Sequence, residues 1–154
     1  MTCYETGLAA LLDADLWVDW ATIATPLIAI GALFFAYKQL KASRQDSMRS
    51  SAYSAYDDYL QLCLEKQKLS YGFNHESSFN QDEYDQYRWF IAKMLFAFEQ
   101  ILDVYKDDND WNKTIASQLN KHKLHLGKSG SVKRNEWSKQ LTSLIDQCIK
   151  EPQQ

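Results

Sequence analysis

The chain has 154 residues, a formal net charge of −3 and a 45% share of hydrophobic residues. Its three cysteines, Cys3, Cys63 and Cys148, lie too far apart in sequence to make a zinc site or a disulfide scaffold. The net charge hides an asymmetry: residues 1–19 carry Glu5, Asp13, Asp15 and Asp19 and no Lys or Arg, whereas all 17 basic residues follow residue 37, against 16 acids.

Residues 4–18 can form a short helix with Leu8, Leu11, Leu12 and Leu16 on one side. It is too short and too acidic to cross a bilayer, and is expected at the outer surface or as an outward extension of the next helix. Cys3 would face the oxidising side, as a loose free thiol or paired with another subunit's Cys3.

From Trp20 to Tyr37 there are 18 consecutive residues without a charge. As a helix this run rises roughly 27 Å, close to the hydrocarbon thickness of a bilayer. Trp17, Trp20 and Tyr37 mark its ends, where amphipathic rings favour the headgroup region. The alternative, a core helix of a soluble protein, usually keeps a polar stripe, and here the polar residues are threonines alone. The expected element is therefore a membrane span over 20–37. Lys38, Lys41, Arg44 and Arg49 follow at once, which places the N-terminus outside and the remainder in the cytoplasm. An acidic leader and an exit through FFAYKQLK do not suit signal cleavage, so the run reads as an uncleaved anchor.

Within the span, Pro26 can bend the helix and Gly31 allows close approach. Thr22, Thr25, Ala29, Ala32 and Ala36 recur at spacings of three and four, a row of small side chains suited to helix–helix association. Alanine is common everywhere, so a single helix of ordinary composition is the competing reading.

Residues 38–70 contain no proline or glycine, and the helix is expected to continue as a basic stalk over 38–51 near anionic headgroups. A cytoplasmic helical domain over 52–154 follows. The stalk becomes amphipathic from Ala52, with Tyr53, Tyr56, Leu60, Cys63 and Leu64 on one face, and ends at Tyr71-Gly72. After a loop over 72–80, Asn80 is positioned to cap a helix over about 81–107, whose stripe of Tyr84, Tyr87, Ile91, Met94, Leu95, Phe98, Ile101, Leu102 and Tyr105 would centre the core. Asn109 or Asp110 caps a third helix running to about Leu126, with Trp111, Ile115, Leu119 and His122 inward. Ser131 would cap a last helix carrying Val132, Trp137, Leu141, Leu144, Ile145 and Cys148, and Pro152 closes the fold. The fold class expected is all-α: one span continuing into a four-helix domain.

The segment 120–137, NKHKLHLGKSGSVKRNEW, is the most informative for function. Lys121, Lys123, Lys128, Lys133 and Arg134 meet one acid, Glu136, with His122 and His125 among them and Ser129 in a glycine–serine turn. Cations, turn amides and a helix N-terminus suit a phosphate. The competing reading is a solvated helix connection. Gly127-Lys128-Ser129 is not a P-loop, because the earlier glycine is replaced by His122 and no strand precedes it. His122 and His125 have no Cys, Asp or Glu nearby to complete a metal site. No nucleophile, base and orienting group fall together, so no enzyme is expected. No cofactor or DNA partner is expected either.

In layout the chain resembles the small bacterial membrane effectors of antiphage defence, among them CRISPR type III accessory proteins. The features shared are an outside N-terminus, the span at 20–37, the basic exit at 38–49 and a compact helical domain. The resemblance implies a homo-oligomer, for instance a tetramer, whose cytoplasmic domains bind cyclic oligoadenylate and then disturb the bilayer. Residues 121–134 would face the ligand and the 22–36 face would line the subunit contact. A single-span adaptor binding a protein partner is the second reading. Binding of anionic lipid by the stalk is compatible with both.

Overall fold

The computed structural model describes residues 14–72 and 80–150, and every element among them is helical. The expected surface helix at Leu8, Leu11 and Leu12, Cys3, most of the 72–80 loop and Pro152 lie outside the described residues. The chain divides into two compact units, Met1–Asp46 and Ser47–Gln154.

Helix α1 runs from Ala14 to Glu65, 52 residues. Beyond Gly31 no glycine or proline occurs before Gly72, so nothing in the backbone favours an earlier stop. In the first unit, the part from Trp20 is long and apolar enough to cross a membrane, and none of its apolar stretch is buried. Pro26 sits inside the helix and lacks the N–H that would meet the Thr22 carbonyl. The Thr22 and Thr25 hydroxyls donate to the Val18 and Ala21 carbonyls at 2.8 and 2.6 Å. These two polar groups are thus satisfied within their own helix, as an apolar surrounding requires. The Lys38 ammonium lies 5.0 Å from the Phe34 ring centroid, its stem laid back along the apolar run.

In the second unit, the end of α1 buries Ala52 and Tyr59, with Ala55, Tyr56, Leu62 and Cys63 partly covered. This corrects the face expected from sequence: Leu64 is 72% exposed, and Tyr53 and Leu60 also reach solvent. The aromatic rings decide the rotation. Tyr56 meets Trp111 edge-on at 5.2 Å and Tyr59 meets Phe98 at 5.4 Å, with Tyr53 at the margin 6.3 Å from Trp111. Gln118 fixes the same pair: the Tyr59 hydroxyl donates to its Oε1 at 2.7 Å and its Nε2 donates to the Tyr56 hydroxyl at 3.2 Å. Arg49, at the end of the expected stalk, lies over the Tyr105 ring at 6.0 Å.

The helix expected to reach residue 70 breaks at Lys66, and one further turn, α2 (Gln67–Ser70), turns Leu69 into the core. Helix α3 (Gln81–Val104) is the centre of the core, burying Tyr87, Phe90, Ile91, Met94, Leu95, Ala97, Phe98, Ile101 and Leu102. Its start is a reciprocal capping box between Asn80 and Glu83, and Glu83 also accepts from Lys68 at 2.7 Å. Helix α4 (Asn109–Lys121) is capped by Asp108, one residue earlier than expected, which accepts from the N–H groups of Asp110 and Trp111.

The third and fourth helices expected from sequence are both interrupted. Helix α4 ends at His122, and α5 (Lys123–Leu126) is a separate turn. Helix α6 (Gly130–Lys133) is another single turn, and α7 (Lys139–Lys150) carries Leu141, Ile145 and Cys148 inward. Ser131 lies inside α6 and does not cap the last helix. That part is taken by Ser138, whose Oγ accepts from the Leu141 N–H at 3.4 Å, while its own N–H donates to Glu99 at 2.6 Å. Between α6 and α7, Asn135 adopts a φ of 53°, a left-handed conformation that asparagine tolerates and that ends α6.

Candidate functional site: a basic groove beside helix α3

The buried stripe of α3 lies on one side, which leaves Tyr84, Asp85, Arg88, Trp89 and Ala92 on another. The chain from His125 to Arg134 passes opposite. Between them is a groove of about 630 Å³, lined by Tyr84, Asp85, Arg88, Trp89, Ile91, Ala92, Leu95, His125, Lys128, Ser129, Gly130, Ser131 and Arg134. Three cationic side chains and one carboxylate therefore share its wall. Trp89 is 78% exposed, an unusual setting for the largest side chain in the repertoire.

The cations are held by different means. Arg88 forms a 3.6 Å pair with Asp85 one turn earlier, both well exposed to solvent. The Arg134 Nε donates to Glu136 Oε1 at 2.6 Å. On the other strand of the turn, Ser129 Oγ and Ser131 Oγ are 3.1 Å apart, and Trp137 Nε1 donates to Ser131 Oγ at 3.3 Å. The 129–131 turn is thereby tied to a half-buried indole.

His125 sits edge-on to Tyr87 at 5.0 Å and faces Tyr84 at 6.0 Å. Burial, then the positive charge of Arg88, lowers its pKa, so the ring is neutral at pH 7 and brings no charge to the groove.

Of the residues singled out from sequence, the groove brings together His125, Lys128, Ser129 and Arg134. Lys121, Lys123 and Lys133 do not line it. His122 is 1% exposed and packs between Tyr87 and Phe90. Burial above all, then Lys121 and His125, lowers its pKa to about 4, which makes it a neutral core residue and removes it from the phosphate set. The turn amides are also spent differently from expectation. Those of Gly127, Lys128 and Ser129 donate to the carbonyls of Lys123, His125 and Leu126. The helix that follows is a single turn, with too few aligned peptides to present a dipole.

Arg88, Trp89 and Asp85 are not singled out from sequence as site residues, and Tyr84, expected in the core stripe, is instead exposed on the groove wall. Their signal was available: on a helical wheel Arg88 and Trp89 fall off the apolar stripe, and a tryptophan there needs a reason to face water. Among the described residues no cluster of three or more His, Cys, Asp or Glu side chains is placed to hold a metal. Chemically, the groove offers side-chain cations for an anion and open aromatic faces for a flat ring.

No protein-family model, no curated protein and no solved structure matches this chain.

Proposed function

We propose that this protein is a membrane-anchored binding protein whose cytoplasmic helical unit takes a nucleotide in the groove between α3 and residues 125–134. The carrying observation is the joint placement of Arg88, Lys128 and Arg134 with the exposed rings of Trp89 and Tyr84 around one groove. Phosphates are met by side-chain cations, and a base has a π-face for an aromatic wall. Binding rather than turnover is the reading, since the wall offers cations and rings where hydrolysis would need an activated nucleophile.

The anchor is the apolar part of α1, Trp20–Tyr37, with the basic residues after it on the cytoplasmic side of a bacterial inner membrane. The layout resemblance makes cyclic oligoadenylate the ligand of choice and membrane perturbation during antiviral defence the output. Thr22, Thr25, Ala29, Ala32 and Ala36 form the contact between subunits of a homo-oligomer. Several subunits then present several grooves to a ligand with several phosphates.

The experiment is a titration of the full chain in detergent with cyclic oligoadenylate, paired with dye release from vesicles holding the same protein. Saturable binding, weakened by Arg88→Glu with Lys128→Glu, and ligand-dependent release support the reading. Absence of binding sinks it.

The second reading, a membrane adaptor for a protein partner, is favoured by one observation. Phe96 is 53% exposed, seven residues beyond Trp89 on the same side of α3, and extends the apolar wall past the groove. An adaptor binds no nucleotide and leaves vesicles sealed.

A further inference from the structure

We infer that Arg134 grips the phosphate of the groove's ligand through its two terminal guanidinium nitrogens, and that Glu136 and Gly130 preset it for that task; this rests on the nucleotide reading above. Gly130 and Arg134 stand four residues apart across the single turn of α6, and the Arg134 N–H donates to the Gly130 carbonyl at 3.0 Å. The guanidinium folds back across the bare α-carbon of Gly130. A Cβ built on Gly130 would lie 2.9 Å from Nη1, 3.7 Å from Cζ and 3.8 Å from Nη2. The missing side chain is therefore the space in which the guanidinium rests.

The third constraint is Glu136, which takes Nε at 2.6 Å. Among the described residues Glu136 is the polar partner of the guanidinium, and it occupies the inner edge alone. The four N–H bonds on Nη1 and Nη2 are left for an incoming acceptor. Both side chains of the pair are well exposed, and an exposed ion pair contributes little to stability. Its effect is to hold a long, rotamer-rich side chain in one attitude before the ligand arrives.

The geometry selects the ligand group. A planar fork with two adjacent nitrogens matches the two non-bridging oxygens of a phosphate ester and forms two parallel charge-assisted hydrogen bonds. Every phosphodiester carries such a pair of oxygens, as does a monoester. Glu136 is not part of the groove wall, whereas Arg134 is, so the carboxylate orients the cation without standing in the anion's path. Lysine at position 134 would keep the charge and lose the fork. Gly130 and Glu136 are thus positioning residues, and Arg134 is the contact.

The test uses the full chain in detergent, titrated with cyclic tetraadenylate, AMP and adenosine, with thermal melting to confirm folding of each variant. Arg134→Lys is expected to weaken both phosphate-bearing probes by about tenfold or more, leaving adenosine unchanged. Glu136→Gln and Gly130→Ala are expected to weaken them by a smaller factor, in the same direction, again without an effect on adenosine. If Glu136→Gln and Gly130→Ala bind as the wild type does while Arg134→Lys does not, the positioning claim fails and the groove remains a nucleotide site. If Arg134→Lys has no effect while Arg88→Ala abolishes binding, the phosphate is gripped elsewhere in the same groove and the inference is overturned. If neither phosphate-bearing probe binds the wild type, the nucleotide reading falls and the inference falls with it.

Discussion

The Tyr87 hydroxyl stands 2.8 Å from Nδ1 of His122, joining the N-terminal third of the core helix to the residue where α4 ends. Both side chains are buried, and among the described residues Nε2 of the same imidazole has no hydrogen-bond partner. Burial raises the Tyr87 pKa far above its ordinary value, so the hydroxyl keeps its proton at neutral pH. A charged imidazole would leave an uncompensated cation among Tyr87, Phe90 and His125.

The first prediction concerns pH. His122 has a folded-state pKa of about 4 against an ordinary 6.5. The unfolded chain therefore binds this proton first as pH falls, and the contribution of neutral His122 is complete above about 6.5 and lost between 6.5 and 4. The linkage amounts to about 3 kcal/mol at its limit. Urea midpoints measured from pH 7.5 to 4 should fall, and His122→Phe should flatten much of the decline. An unchanged slope in that variant would remove His122 as the cause.

The second prediction concerns the residue that closes over His122. Gly72 has a φ of +78°, and a Cβ there would lie 1.9 Å from the Lys121 carbonyl oxygen. Backbone against backbone cannot give way as a flexible side chain can. Gly72→Ala should lower stability by more than about 1 kcal/mol, from the conformation and the clash together. Thermal melting checks this, and a variant as stable as the wild type would contradict it.

The third prediction concerns Gln118, which holds Tyr56 and Tyr59 to α4. Tyr59 is fully buried, so removal of Gln118 leaves its hydroxyl with the Cys63 thiol alone, a weak hydrogen-bonding partner. Gln118→Ala should cost about 1–3 kcal/mol in chemical denaturation. Gln118→Glu keeps the acceptor for Tyr59 and should cost less.

Much of this arrangement was legible in the sequence. The charge-free run, the unbroken helix beyond it, the Asn80 cap and the stripe of α3 all depend on local periodicity and capping chemistry, which neighbouring residues report directly. What escaped depends on tertiary partners. Leu60 and Leu64 look as apolar as Ala52 and Ala55, and only the rings of Phe98 and Trp111 decide which face of α1 turns inward. The breaks at Lys66 and His122 occur without a proline or glycine at the break itself. For the site, the 120–137 segment drew notice because its charges are contiguous, yet half of its candidates point elsewhere. The other wall, Tyr84 to Trp89, comes from a helix remote in sequence, and no local pattern pairs it with Lys128 and Arg134.

A fourth prediction addresses the span. The Thr22 and Thr25 hydroxyls are satisfied within the helix, so the 22–36 face can meet another helix by close packing alone. Single cysteines at Thr22, Ala29 and Ala36 should form intermolecular disulfides in native membranes, whereas cysteines at Ile23 and Ile30, which fall on the opposite side of a helical wheel, should not. Equal crosslinking on both faces, or none on either, would return the span to a simple anchor.

The central claim is that the groove between α3 and residues 125–134 holds a nucleotide, and photolabelling tests it most directly. The full chain in membranes would be irradiated with cyclic tetraadenylate carrying an azido-adenine, and the labelled peptides mapped. The account predicts label within 84–92 and 125–134, competed away by unmodified ligand and lost in Arg88→Glu with Lys128→Glu. Label confined to other segments, or no label that unmodified ligand displaces, would contradict it.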